Sequence, residues 1–135
     1  MTATSVNIAV VDDDPSVRKA LVRLFDNTPY RPKAYASAGE FLANLAAEFP
    51  QCLIVDFHMP RMDGLALAEA VRALPKSDVP ILALTADALP ETAERCTEAG
   101  MQGLLIKPLR LPLLQESLGR WLPKAVELRR DKTTA

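Results

Sequence analysis

The sequence predicts an α/β fold, a doubly wound parallel sheet of five strands covered by helices on both faces. Two observations predict it. Short β-like runs alternate with helix-period stretches five times along the chain. The clearest runs are continuously apolar rather than alternating, the pattern of strands buried on both faces. Parallel neighbours need crossover connections, and the intervening helices supply them with right-handed topology.

Each element has its own justification. "VNIAVV" (Val6–Val11) is apolar apart from Asn7 and reads as the first strand. Asp14 then caps a helix with Pro15 at its first position. Val17, Ala20, Leu21, Leu24 and Phe25 fall at helical spacing and predict one stripe facing a core. "RPKAYA" is a weaker, more polar strand, expected near a sheet edge where Pro32 is tolerated.

Ser37 and Glu40 form a capping-box pattern ahead of Phe41, Leu42, Leu45 and Phe49. "CLIVD" is the third strand, and Leu67, Val71 and Leu74 mark a third helix ending near Pro75. "PILALT" (Pro80–Thr85) is the fourth strand. The fourth helix, about Pro90 to Ala99, carries only the small inward candidates Ala93, Cys96 and Ala99, so its anchor should be weak. "GLLI" (Gly103–Ile106) is a short fifth strand. A last helix from about Pro112 presents Leu114, Leu118, Trp121 and Leu122.

At 135 residues the chain is sized for one domain that buries its own core. Residues 1–123 are expected to form it, and the charged stretch 124–135 to be a tail or the start of a linker. With 49% hydrophobic residues, 24% charged and a net charge of −1, the composition is that of a soluble globular domain without a nucleic-acid footprint. The N-terminal apolar run is too short for a signal peptide or membrane span, which points to the cytoplasm. Cys52 and Cys96 have no metal-ligand spacing and read as reduced core thiols.

In a sheet of this kind, ligands bind beyond the carboxyl ends of the strands. Those ends carry Asp12 and Asp13, then Asp56, Thr85 and Lys107. Singly, each is an ordinary loop polar residue, a cap or a solvated charge. Together they converge three carboxylates, a hydroxyl and an ammonium on one edge. Carboxylates so close repel, and at least one raises its pKa unless a cation intervenes. An all-oxygen set suits a hard divalent ion, Mg²⁺ above all, because Mg²⁺ shares its shell with phosphate. With the repulsion screened, one carboxylate can attack phosphorus while Lys107 and Thr85 steady the equatorial oxygens.

These residues carry a resemblance. "VVDDDPSVRKAL", "LIVDFHMPRMDG", "LALTA" and "IKPL" resemble, in order and spacing, the signature segments of bacterial two-component response-regulator receiver domains, over about Val6 to Leu122. The resemblance implies a flavodoxin-like (βα)5 fold with strand order 2-1-3-4-5. It makes Asp56 the phosphoacceptor and Asp12 and Asp13 the acidic pair holding Mg²⁺, with Asp56 and the backbone carbonyl of His58. Thr85 becomes the switch hydroxyl and Lys107 the phosphate-pairing lysine. Lys107–Pro108 matches the family's cis peptide, with Pro108 structural.

The implied function is signal transduction: Asp56 accepts a phosphoryl group from a phosphohistidine on a histidine kinase or a histidine phosphotransfer protein. Such a domain is a phosphoacceptor that slowly hydrolyses its own aspartyl phosphate, not a classical enzyme. The first helix is expected to dock the donor. Helix four, strand five and helix five should signal onward, with homodimerisation through that face as an option.

Leu104 departs from the pattern, standing where the family usually has a switch Tyr or Phe. The expected surface change is then muted, or read by contacts other than an aromatic rotamer. His58 and Asp87 occupy variable positions beside the attacking water and are candidate modulators of phosphate lifetime. Two other classes compete. A small-molecule aspartyl-phosphate hydrolase needs an acid/base carboxylate two residues past the nucleophile, where His58 stands. A phosphate-independent pseudo-receiver typically loses an acidic ligand or the nucleophile, and neither is missing here. "GMQGLLIKPLRLPLLQESL" resembles hybrid-kinase receivers, whereas "VVDDDPSVRKAL" resembles receivers followed by a helix-turn-helix. No output segment is expected after Leu122, so a free-standing regulator, a relay intermediate and a piece of a longer protein all stay open.

Overall fold

A computed structural model describes residues 6–45, 49–59, 62–74, 78–86, 89–107 and 109–121. The elements run β1 (Val6–Val11), α1 (Pro15–Leu24), β2 (Tyr30–Tyr35), α2 (Ala38–Asn44) and β3 (Cys52–Asp56). They continue with α3 (Gly64–Arg72), β4 (Ile81–Thr85), α4 (Pro90–Glu98), β5 (Gly103–Ile106) and α5 (Leu111–Trp121). The five strands form one parallel sheet in the order β2-β1-β3-β4-β5, the flavodoxin-like order. β2 lies at an edge, as its Pro32 and its polar composition require.

The doubly wound layering follows from strand alternation. Ile8, Val10, Ile54, Leu82 and Leu84 pack in one cluster with Leu21 and Phe25 of the α1 region and Leu114 and Leu118 of α5. Ala9, Val11, Leu53, Val55, Ile81 and Ala83 pack in the other. That cluster is closed by Phe41 of α2, Leu67, Ala68 and Val71 of α3, and Cys96 of α4. Burial of this kind contributes about 1.5–3 kcal/mol per large apolar side chain.

Caps define the helix starts. Asp14 accepts from the Ser16 N–H and Asp63 from the Ala66 N–H, both at 2.9 Å. Ser37 accepts from the Glu40 N–H at 3.1 Å. Glu40 reaches back to the Ala36 N–H rather than to that of Ser37, so the capping box is shifted by one residue.

Three expectations need correction. Phe49 is 40% exposed, because α2 stops at Asn44 and its stripe does not extend that far. In α4 the inward residues are Thr92 and Cys96, with Ala99 at the C-cap, while Ala93 is exposed. Leu89 caps the helix and Pro90 begins it, a phase that turns positions 92, 96 and 99 inward. In α1 the stripe is only partly covered: Leu21 and Phe25 are buried, Val17 and Leu24 half-buried, and Ala20 exposed. Pro75, Asp87, Pro108, Leu122, the 124–135 stretch and the Trp121 side chain lie outside what is described. Among the described residues no helix is long and apolar enough to cross a membrane.

Candidate functional site

Strand register assembles the site. Val11 pairs with Val55, so Asp12 and Asp56 each stand one residue beyond a matched pair. Asp56 pairs with Leu84, which places Thr85 one step further on. Thr85 pairs with Ile106, and Lys107 follows. Four strands thus deliver four of the predicted residues to one rim. Asp13 joins them from the turn: one carboxylate oxygen from each of Asp12, Asp13 and Asp56 lies within 4.8 Å of the others.

The three acids differ in environment. Asp12 is fully buried, Asp56 nearly so, and Asp13 exposed. The Lys107 ammonium lies 3.4 Å from Asp12 Oδ2 and 3.5 Å from Asp56 Oδ1, bridging the two buried carboxylates. Among the described residues, Asp12 Oδ2 nevertheless accepts no hydrogen bond. A buried carboxylate oxygen without a hydrogen-bond donor, in an all-oxygen cluster, fits a hard divalent cation.

Burial first, and the charge of Asp12 second, push the Asp56 carboxyl above the usual carboxylate range. Lys107 and the His58 N–H, which donates to Asp56 Oδ1 at 3.2 Å, pull the other way. Mutual repulsion, the cause expected from the sequence, is therefore secondary to desolvation. Thr85 is fully buried at the end of β4, and its carbonyl accepts from the Lys107 N–H at 2.8 Å. The hydroxyl and the lysine are thus tied through adjacent backbone.

The loop after Asp56 is held close by Gly64. Its N–H donates to the Phe57 carbonyl at 3.2 Å. A Cβ at this position would stand 2.7 Å from the Asp56 carbonyl oxygen, so here the glycine answers a close approach. His58 is exposed, its ring edge-on to Phe57 with centroids 4.7 Å apart. Leu104 is half-buried against the cluster beneath α2, α3 and α4.

Arg18 was not anticipated. From the first turns of α1 its guanidinium donates to the Asp12 carbonyl at 2.7 Å and braces the acidic turn. Helical side chains lean toward the N-terminus, and that is the signal that could have found it. Beside the acids, Val17, Ala20, Leu21, Leu24 and Leu109 line an apolar cleft of about 410 Å³ that has Lys107 in its wall.

Residues 8–119 match the family model described as the response regulator receiver domain. The chain is 34% identical over 111 residues to the sensor histidine kinase RcsC of Salmonella typhimurium, covering 82% of this chain but only 12% of the kinase. It also resembles the chemotaxis protein CheY4 of Vibrio cholerae, with a TM-score of 0.83 and 29% identity, over 87% of this chain and 99% of that one. A third likeness is to the receiver domain of the Pseudomonas aeruginosa sensor histidine kinase PA1611, solved with a magnesium ion coordinated in its active-site cleft. There the TM-score is 0.78 and the identity 30%, over 87% of this chain and 97% of that one.

Proposed function

Because the chain belongs to the response regulator receiver family, whose members are the phosphoacceptors of two-component systems, we propose that Asp56 accepts a phosphoryl group from a phosphohistidine. The observation that carries the proposal is the cluster itself. Asp12, Asp13 and Asp56 draw together around one point, with Lys107 against the two buried members.

Asp12, Asp13, Asp56 and the His58 backbone carbonyl would hold Mg²⁺. Once bound, the ion would neutralise charge on the acids and on the incoming phosphoryl oxygens. The chain's own groups do the rest. An Asp56 carboxylate oxygen attacks phosphorus, the P–N bond to the donor imidazole breaks, and the released ring nitrogen takes up a proton. Lys107 and Thr85 meet the equatorial oxygens. Water later attacks the same phosphorus and returns the carboxylate and inorganic phosphate. Burial favours protonated Asp56, while Lys107 and the His58 N–H favour the ionised nucleophile, and a bound cation would add to their effect.

The donor, a histidine kinase or a histidine phosphotransfer protein, seats a helix in the apolar cleft beside α1. Lys107 in the wall of that cleft marks the direction of the acceptor. The second partner surface is the α4–β5–α5 face. Leu89 at the start of α4, Ile106 of β5 and Leu113 of α5 are 52%, 40% and 55% exposed, large apolar side chains open to onward contacts or self-association. Leu104 leaves that face to respond without a β5 ring, and His58 and Asp87 tune the lifetime of the phosphoryl group.

Acetyl phosphate with Mg²⁺, followed by intact-mass measurement, tests the reading. One phosphoryl adduct per chain is expected, and none when the metal is chelated. An unmodified chain under both conditions would instead favour a phosphate-independent interaction module.

A further inference from the structure

The residue immediately after the acceptor connects two parts of the molecule. Phe57 is 4% exposed, and its backbone is pinned on both sides. Its N–H donates to the Leu84 carbonyl at 2.9 Å and its carbonyl accepts from Gly64. The Arg95 guanidinium of α4 lies over the Phe57 ring, with Cζ 5.5 Å from the centroid, within cation–π range.

The remaining anchors of α4 are unevenly distributed. At its C-terminal end, Gly100 adopts φ +92° and donates to Thr97 at 3.0 Å, while the Met101 N–H returns to Cys96 at 2.9 Å. Arg72 grips the Gly100 carbonyl through two nitrogens at 3.0 and 2.7 Å. At the N-terminal end, Leu89 makes no side-chain capping bond and is largely exposed. Thr92 is buried in the first turn, and Arg95, in the last turn, joins the helix to the acceptor loop.

We infer that Arg95 is a positioning residue that couples α4 to Asp56 through the Phe57 ring. The inference rests on Asp56 being the phosphoacceptor. The His58 N–H donates to Asp56 Oδ1 in the free carboxylate. When a phosphoryl group occupies that carboxylate, its oxygen carries less charge and accepts the His58 N–H more weakly, so the 56–58 segment readjusts. Phe57 lies inside that segment, so a readjustment there loosens its backbone bonds to Leu84 and Gly64 and draws its ring out from under the guanidinium. The cation–π contact thus belongs to the unphosphorylated form. Removing it shifts the balance toward the phosphorylated arrangement, and linkage makes the same free energy appear at both sites.

The test is a reversible titration with beryllofluoride, a phosphoryl mimic, in the presence of Mg²⁺, followed by amide NMR signals of Asp56 and α4. Arg95→Met keeps the apolar stem and removes the cation. It should tighten beryllofluoride binding roughly two- to five-fold, the span an exposed cation–π contact supports. Arg95→Lys should stay near wild type. In a Phe57→Leu background the Arg95→Met effect should vanish, which a merely structural role for Arg95 would not produce. Unchanged or weakened binding in Arg95→Met, or the same effect with and without the ring, would overturn the coupling. A wild-type chain that binds no beryllofluoride would remove the receiver reading, and this inference with it.

Discussion

Asp56→Asn is expected to take up no phosphoryl group and, with divalent cations chelated, to melt at a higher temperature than the wild type at neutral pH. The first effect follows from the proposed role of Asp56 as the nucleophile. The second follows from the raised pKa of Asp56, caused by burial and then by Asp12. The folded chain binds the Asp56 proton more tightly than the unfolded chain does. Stability therefore falls as pH rises from the unfolded to the folded pKa, and above the folded value the whole cost is present. A neutral isostere escapes it. A gain on the order of 1 kcal/mol, roughly 3 °C in a chain of this size, is expected at neutral pH. The gap should close on acidification through the folded pKa. Adding Mg²⁺ should reverse the order, because binding stabilises the wild type more. Melting curves across pH, with and without chelator, check all three points.

Arg72→Met is expected to lower stability by about 3 kcal/mol while leaving phosphoryl acceptance intact. The guanidinium donates to the Gly100 carbonyl twice, to the Val79 carbonyl at 2.8 Å and to Gln102 Oε1 at 2.8 Å. The same Gln102 oxygen accepts from the Ile81 N–H at 2.7 Å. One side chain thus ties the end of α3 to the residues leading into β4 and β5. Hydrogen bonds from a charged donor contribute about 1.5–3 kcal/mol each, though not additively within one cluster. Desolvation lowers the Arg72 pKa and Asp78 opposes the shift. The clasp sits at the amino ends of β4 and β5, across the sheet from Asp56, so acceptance should survive. Arg72→Lys should recover only part of the loss, because an ammonium cannot reproduce the planar fork. Denaturant titration of the three proteins decides the size of the effect.

The strands and most of the site were legible in the sequence for one reason. Continuous apolar runs that stop on Asp12, Asp56, Thr85 and Lys107 announce both a buried parallel sheet and a polar cluster at its edge. The strand register that makes those ends adjacent follows once the order is known. Less legible was anything that depends on helix phase where apolar residues are scarce. α4 has few, so Ala93 and Thr92 were exchanged. The reach of α2 was overestimated because Phe49 matched its period without being in the helix. The clasp of Arg72, the brace of Arg18 and the Arg95–Phe57 contact join residues far apart in the chain or across a turn. Only the Arg18 brace has a local signal, the lean of helical side chains toward the N-terminus; no local pattern encodes the other two. The ranking of causes at Asp56 was also out of reach, since repulsion can be guessed from three neighbouring acids but burial requires the fold.

Acids from two strand ends and a turn are proposed to form one divalent-cation site poised at Asp56. Calorimetric titration with Mg²⁺ decides whether they do. One ion should bind per chain, with affinity lost in Asp12→Asn and sharply reduced in Asp13→Asn. A titration without heat at any temperature, or unchanged binding in Asp12→Asn, would contradict such a site.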